Sequence, residues 1–156
     1  MIKYLYLAGG LFNAGERLHN LYLEKYLKEL GYKVILPQRE ALKNFDGESF
    51  DTMAIVKSCR DACSDPQNLF VGNADGADSD SGTCVEYGIA IASVGKAVVY
   101  RTDFRTALDK ELGVNAMLRG EETSFVYEPC YLTDLGQADS YYAELARKID
   151  STIRDL

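Results

Sequence analysis

The chain is poor in basic residues, and it has no apolar run long enough to cross a membrane. Its 156 residues include 17 lysines and arginines against 24 aspartates and glutamates, which gives a formal net charge of -7. Without a basic stripe, nucleic acid is not an expected partner, and a small ligand with little charge is easier to accommodate. The apolar start, residues 1–10, is too short for a signal peptide and fits a first strand. We therefore expect no membrane association.

Potential metal ligands are also scarce. The chain has one histidine, His19, and four cysteines. Cys59 and Cys63 are spaced to share one helix face, but no second thiolate pair accompanies them. We expect no metal site, four reduced and mostly buried thiols, and a reducing, cytoplasmic location. His19 lies within a predicted helix, and we interpret it as an ordinary helix residue.

Short apolar runs alternate with amphipathic segments along the whole chain. The predicted strands are residues 3–7, 33–36, 68–72, 96–100 and 124–127. The predicted helices cover residues 13–30, 49–63, 81–94 and 138–153, and the predicted long loops cover residues 38–48 and 103–122. This alternation predicts a doubly wound α/β fold: a flavodoxin-like, five-stranded parallel sheet of order 2-1-3-4-5 with helices on both faces. No repeat or linker divides the chain, so residues 1–156 are predicted to form a single domain.

The predicted strand order places a ligand crevice between the first and third strands. In open sheets of this kind, ligands bind outside the carboxyl ends of the strands, where the strand order reverses. That position brings residues 6–13 close to residues 73–86. Gly9 and Gly10 follow the first strand and let the backbone approach a ligand closely. They do not form a G-x-G-x-x-G pattern, so a dinucleotide site is not indicated.

The stretch of residues 76–90 places carboxylates at the start of a helix. Glu86 lies about one turn into that helix, whose N-terminus favours an ionised carboxylate. Asp75, Asp78 and Asp80 precede it. Paired carboxylates are typical of glycosidic bond chemistry, in which one attacks the anomeric carbon and another handles the proton of the leaving group. From spacing alone, a solvated acidic loop and an exposed helix glutamate remain open alternatives.

Two aromatic residues accompany these carboxylates in the predicted crevice. Tyr6 and Phe12 would give it an aromatic floor, which suits a flat heterocycle attached to a sugar. A tyrosine buried in the core of the sheet is an equally simple interpretation of Tyr6.

Three segments together resemble the nucleoside 2-deoxyribosyltransferase family. They are Y-L-A-G-G-L-F-N at residues 6–13, D-S-G-T-C-V-E-Y-G-I-A at residues 80–90 and V-N-A-M-L at residues 114–118. Their order and spacing resemble the family over residues 2–117. The resemblance implies transfer of a 2-deoxyribosyl group between nucleobases in nucleoside salvage, with 2′-deoxyribonucleosides and free nucleobases as substrates. It also implies no cofactor and a homo-oligomer with shared active sites.

The resemblance assigns catalytic roles to three residues. Glu86 matches the nucleophile that forms a covalent ester with the deoxyribose, so that two inversions retain the configuration at C1′. Tyr6 matches the tyrosine that holds this carboxylate in place. Asp80 matches the aspartate that contacts the nucleobase and helps to transfer its proton.

The resemblance also assigns substrate-binding residues. Phe12 matches an aromatic residue that lies against the base. Asn115 matches an asparagine lent by the neighbouring subunit near the sugar 5′-hydroxyl, and Met117 matches a methionine beside it.

Two further positions follow less directly from the pattern. Asp61 is the best match to a deoxyribose-binding aspartate in the helix before the third strand, although a shifted alignment would select Arg60 or Asp65. Gln38 lies where some family members place polar residues that contact the base.

Two other functions stay open on the sequence. A 2′-deoxynucleoside 5′-monophosphate N-hydrolase uses the same tyrosine and glutamate and adds hydroxyl or basic groups around a phosphate. Ser79, Ser81 and Thr83 are candidates for such groups, whereas Asn115 and the acidic loop argue against a phosphate. A non-catalytic nucleotide-binding module on the same fold would bind the ligand and leave the glycosidic bond intact.

Overall fold

In the computed structural model, which describes residue 2, residues 4–105 and residues 113–156, five parallel strands form one sheet. The strands are β1 (Tyr4–Ala8), β2 (Val34–Ile35), β3 (Asn68–Asn73), β4 (Ala97–Arg101) and β5 (Thr123–Tyr127). Their order is β2-β1-β3-β4-β5, and every neighbouring pair is parallel. The predicted flavodoxin-like α/β fold is therefore confirmed. Lys3, the predicted first residue of β1, lies outside the described residues.

In the described part of the chain, five α-helices surround the sheet. They are α1 (Ala14–Glu29), α2 (Pro37–Glu40), α3 (Thr52–Ser64), α4 (Ser81–Val94) and α5 (Ala138–Arg154). Short 3-10 turns cover Ala41–Asn44, Ala116–Leu118 and Leu135–Gln137. No helix of the described part of the chain is long and apolar enough to cross a membrane.

The two faces of the sheet bury different sets of side chains, because successive strand residues point to opposite faces. Leu5 and Leu7 of β1 pack with α1 and α5 residues such as Leu27 and Leu145. On the opposite face, Tyr6 belongs to a separate core that includes residues of α3 and α4. The face of β1 that carries Tyr6 is therefore the face that α3 and α4 cover.

Local signals set most helix ends close to the predicted positions. Asn13 caps α1: its side chain accepts a hydrogen bond from the backbone N–H of Glu16, and the Glu16 carboxylate accepts one from the backbone N–H of Asn13. Gly31 and Gly95, with φ of 95° and 75°, follow the ends of α1 and α4 in the left-handed conformation that glycine adopts readily.

The predicted loop at residues 38–48 is wrong over its first half, where α2 and a 3-10 turn form. Pro37 occupies the first helical position of α2, where its missing N–H costs no hydrogen bond. Phe45 and Phe50 hold the end of the segment in place. Their ring centroids lie 4.7 Å apart, and their backbones form an antiparallel bridge. The polar composition of residues 38–48 gave no indication of this packing between the two phenylalanines. In the other predicted loop, residues 106–112 lie outside the described residues.

Candidate active site

The start of α4 follows the carboxyl end of β3 and is fixed by Asp80. Asp80 is the N-cap residue, and its Oδ2 accepts hydrogen bonds from the backbone N–H of Thr83 at 2.8 Å and from its hydroxyl at 3.0 Å. This bonding satisfies the free donors of the helix start and sets the direction in which α4 leaves the sheet. Glu86 then lies in the second turn, on the side of the helix that faces β1.

Tyr6 and Glu86 are directly bonded. The Tyr6 hydroxyl donates a hydrogen bond to Oε1 of Glu86 at 2.7 Å. Tyr6 is 1% exposed, so it is both a core residue and a partner of the carboxylate. Burial, and then the charge of Glu86, raise the pKa of the Tyr6 hydroxyl well above its ordinary value, which keeps it a donor.

The environment of Glu86 contains opposing influences on its proton affinity. Burial raises the pKa of the Glu86 carboxyl, and the hydrogen bonds from Tyr6 and from the Cys59 thiol lower it. The charge of Asp80 raises it further, and the net direction is upward. A partly desolvated carboxylate held by two donors has the properties that a nucleophile at a sugar carbon needs.

Glu86 opens into a cavity of about 540 Å³, which we call the apolar-walled cavity. Its polar lining includes Arg17, Cys59, Asp80 and Glu86. Most of its remaining wall is apolar, formed by Leu11, Phe12, Pro37, Ala41, Phe50 and Ile55. Flat apolar walls with a few polar groups are typical of sites for small heterocyclic ligands.

A second cavity of about 400 Å³ adjoins the first and shares Asp80 with it. We call it the polar cavity, and its lining includes Glu16, His19, Asn20, Asn73, Asp75 and Asp78. Its acidic groups form no metal site: no group of three or more His, Cys, Asp or Glu side chains in the described residues could hold a metal ion.

Several polar groups of the polar cavity are hydrogen-bonded to other parts of the protein. The ring nitrogens of His19 lie 2.9 Å and 3.0 Å from the hydroxyls of Tyr142 and Tyr100, and burial lowers its pKa. Asp75 accepts hydrogen bonds from the backbone of Thr102 at 2.6 Å and of Asp103 at 2.8 Å. These contacts tie the loop after β3 to the segment after β4.

The structure does not bring Asp61 to either cavity. Its side chain is 63% exposed and forms an ion pair with Lys57. Ile55, Ser58 and Cys59 of the same helix line the apolar-walled cavity instead. Two residues further along a helix turn a side chain by about 200°, so Asp61 points away when Cys59 faces the cavity. The alternatives Arg60 and Asp65 do not line the cavity either.

Gln38 is also outside the lining of the apolar-walled cavity. It is 5% exposed, and its amide bridges α1 and α2: Nε2 donates to the Arg17 carbonyl at 3.2 Å, and Oε1 accepts from Asn20 at 3.0 Å. This bonding makes Gln38 a structural link. Direct contact with a base, as the sequence suggested, would require its amide to leave these partners.

The remaining predicted binding residues lie at the surface of the chain. Phe12 lines the rim of the apolar-walled cavity and is 82% exposed. Asn115 caps a 3-10 turn by accepting a hydrogen bond from the backbone of Met117 at 3.0 Å, and the Met117 side chain is exposed. Neither Asn115 nor Met117 lines the cavity of its own chain.

The sequence analysis did not single out several polar residues that line the cavity, among them Arg17 and Cys59. Arg17 follows the cap of α1 by one turn, and Cys59 lies two residues before the predicted Asp61. The helical period of the apolar residues in α3 could have predicted that Cys59 lines the cavity, because Ile55 and Cys59 are one turn apart and share a helix face. Arg17 gave no signal of its own.

Comparison with known proteins identifies the family of the chain. A family profile described as nucleoside 2-deoxyribosyltransferase matches residues 5–117. The chain therefore belongs to the nucleoside 2-deoxyribosyltransferase family, and the match indicates an enzyme of this class. Comparison with curated proteins gave no significant match.

Solved structures share the fold at low sequence identity. A conserved protein from Enterococcus faecalis V583 is 23% identical, with a TM-score of 0.63 over 97% of this chain and 99% of that chain. A 2-deoxyribosyltransferase from Bacillus psychrosaccharolyticus is 19% identical, with a TM-score of 0.58 over 92% and 95% of the two chains. A CMP N-glycosidase from Clostridium botulinum is 18% identical, with a TM-score of 0.59 over 95% and 99%.

Proposed function

We propose that the protein transfers a 2-deoxyribosyl group from one nucleobase to another. The observation that carries this proposal is the half-buried Glu86 carboxylate, held by the Tyr6 hydroxyl at 2.7 Å and open to a cavity with apolar walls. The family membership of the chain supports the same chemistry. Substrates are 2′-deoxyribonucleosides and free nucleobases.

In the proposed mechanism, Glu86 attacks the anomeric carbon as the bond to the base breaks. Positive charge develops on the sugar in that transition state, and a carboxylate on the opposite side stabilises it before bonding to it. The Tyr6 hydroxyl orients the carboxylate and leaves one oxygen free to attack. The product is a glutamyl ester of deoxyribose.

Asp80 handles the proton of the leaving base in this proposal. It lies at the N-terminus of α4, lines both cavities and shares the apolar-walled cavity with Glu86. The second base attacks C1′ from the side that the first one left, so two inversions give retention. The apolar walls favour a base over water as the acceptor.

We further propose that the site is completed by a second copy of the chain. Asn115 and Met117 are exposed on a surface turn, and Phe12 leaves the rim of the cavity open. A neighbouring subunit that places its Asn115 turn over Phe12 would cover the rim and supply a polar contact to the sugar.

Hydrolysis of a nucleoside monophosphate is the second candidate function. The specific observation in its favour is Arg17, a cation in the cavity wall that could meet a phosphate. The Clostridium botulinum structure of similar fold is a CMP N-glycosidase.

The decisive experiment is incubation of deoxyinosine with adenine in phosphate-free buffer, followed by chromatography. Formation of deoxyadenosine supports base transfer. Release of hypoxanthine without deoxyadenosine indicates a hydrolase, and product that requires added phosphate indicates a phosphorylase. An unchanged nucleoside, with binding retained, indicates a non-catalytic module.

A further inference from the structure

Arg17, a cation in the wall of the apolar-walled cavity, has no ionic partner among the residues that the structure describes. Arg17 is half-buried on the first turn of α1, and its Nη1 donates to the carbonyl oxygen of Leu11 at 3.1 Å. Within the described part of the chain, its guanidinium forms no ion pair. A guanidinium carries five N–H groups and no acceptor. Most of its donors are therefore left for a ligand in the cavity.

The charges around Arg17 favour a neutral acceptor over an anion. Glu40, Asp80 and Glu86 line the same cavity. Glu40 is paired with Lys43, whereas Asp80 and Glu86 contact no cation of residues 4–105 and 113–156. A phosphate dianion would face these two carboxylates at close range, and like charges brought together in this way are costly. A carbonyl oxygen accepts from the guanidinium without that repulsion.

The shape of the wall beside Arg17 also suits a base. Leu11 and Phe12 of the same loop, together with Pro37 and Phe50, give this part of the cavity apolar surfaces. A flat heterocycle can lie against them with its polar edge toward the guanidinium. A phosphate would leave these surfaces unused.

We propose that Arg17 makes the enzyme selective for 6-oxopurines, such as hypoxanthine and guanine, over adenine. This inference rests on the proposed base transfer. The 6-oxopurine edge presents two acceptors, O6 and N7, which match the paired donors of a guanidinium. Adenine presents N7 and an amino donor, so the guanidinium would face a second donor there. The expected discrimination is about tenfold to a hundredfold.

The test uses a donor that lacks a group at position 6, the 2′-deoxyriboside of purine, with hypoxanthine and adenine competing as acceptors. The wild-type protein is expected to favour hypoxanthine at least tenfold in kcat/KM. Arg17→Met should lower that ratio at least tenfold. Arg17→Lys, which keeps the charge without the planar pair of donors, should give an intermediate ratio.

A matched control is Lys28→Met, which removes a cation from the opposite end of α1, outside both cavities. Its hypoxanthine-to-adenine ratio should equal that of the wild-type protein. If Arg17→Met lowers both acceptors equally, or if the wild-type protein shows no preference, the proposal is overturned.

Calorimetric binding of the free bases separates this proposal from the proposed function. If the wild-type protein binds hypoxanthine better than adenine and Arg17→Met loses the difference, the selectivity stands even when no transfer is seen. If Arg17→Met instead weakens binding of deoxyinosine monophosphate and keeps the preference for hypoxanthine, the guanidinium binds phosphate and the proposal fails.

Discussion

Carboxylates line both adjoining cavities, but the polar groups of the two cavities differ in how they are bonded. In the apolar-walled cavity, one carboxylate oxygen of Glu86 accepts the hydrogen bond from Tyr6, and one N–H group of Arg17 donates to the carbonyl oxygen of Leu11. In the polar cavity, both ring nitrogens of His19 and both oxygens of Asp75 have partners within the protein. Groups with unused bonding capacity are available to a ligand, whereas satisfied groups hold the fold. An acidic cluster in a sequence does not distinguish these two situations.

The comparison predicts the largest effect for Glu86→Ala. Loss of the proposed nucleophile should lower base transfer by at least about a thousandfold, because catalytic groups commonly contribute several orders of magnitude. The measurement is the transfer rate, with circular dichroism to show that the fold is retained. Asp78→Ala, an exposed carboxylate of the polar cavity, is the matched control and should keep most activity.

A covalent label tests more directly whether Glu86 is the residue that bonds to the sugar. A 2-fluoro-arabinosyl nucleoside should trap the intermediate, and mass spectrometry of peptides should place the sugar on Glu86. A label on Asp80 or Asp78 would contradict the assignment.

The next largest effect is expected at the proposed subunit contact. Asn115→Ala should lower transfer by roughly a hundredfold if its side chain contacts the sugar of a neighbouring site. Asn115→Ala and Glu86→Ala subunits that are unfolded, mixed and refolded together should regain activity, because some hybrid sites hold both intact residues. No gain over the two parents, with oligomers confirmed by light scattering, would mean that Asn115 acts within its own chain or not at all.

Tyr6→Phe should have a smaller effect with a characteristic pH dependence. The tyrosine donor lowers the pKa of the Glu86 carboxyl, so its removal should raise that pKa. Activity that needs the ionised carboxylate should then fall off at a higher pH on the acidic side. The kcat/KM profile should shift upward in pH, with a loss of about tenfold to a hundredfold at neutral pH. An unshifted acidic limb would contradict this role.

Asp75→Ala tests whether the bonded groups of the polar cavity stabilise the fold rather than take part in base transfer. The change leaves backbone donors of Thr102 and Asp103 without their acceptor, and hydrogen bonds to charged groups are each worth about 1.5–3 kcal/mol. The free energy of unfolding in urea should therefore fall by roughly 2–4 kcal/mol. Base exchange by the remaining folded protein should change far less than in Glu86→Ala. A large catalytic loss at unchanged stability would place Asp75 in the chemistry.

The smallest effect is expected at Asp61. Its carboxylate is exposed and paired only with Lys57, so Asp61→Ala should change stability by less than about 0.5 kcal/mol. Transfer should change by less than about twofold, since the side chain lines neither cavity. Cys59→Ala, which removes a donor to Glu86 from the same helix, is the comparison variant and should cost more activity. Equal losses in both variants would restore Asp61 as a binding residue.

The sequence was sufficient for the sheet order because each strand is a local apolar run and parallel crossovers allow few arrangements. The approach of Tyr6 to Glu86 follows from that order, since β1 and β3 are neighbours. Asp61 lies outside both cavities, and the sequence could not reveal this because the assignment depended on helical phase, which an alignment gap of one or two residues reverses. Its role in binding stays a prediction. α2 and the position of Arg17 depend on packing between distant segments, which no local pattern encodes.

The location of Tyr6 in the middle of β1 has a consequence for how this enzyme can be altered. Tyr6 and Glu86 are held by strand register and by the body of a helix, whereas Phe12 and Phe50 lie in connecting segments. Connecting segments tolerate substitution better than buried strands do. Acceptor preference should therefore evolve, or be engineered, through these segments while Tyr6 and Glu86, the proposed catalytic pair, stay unchanged.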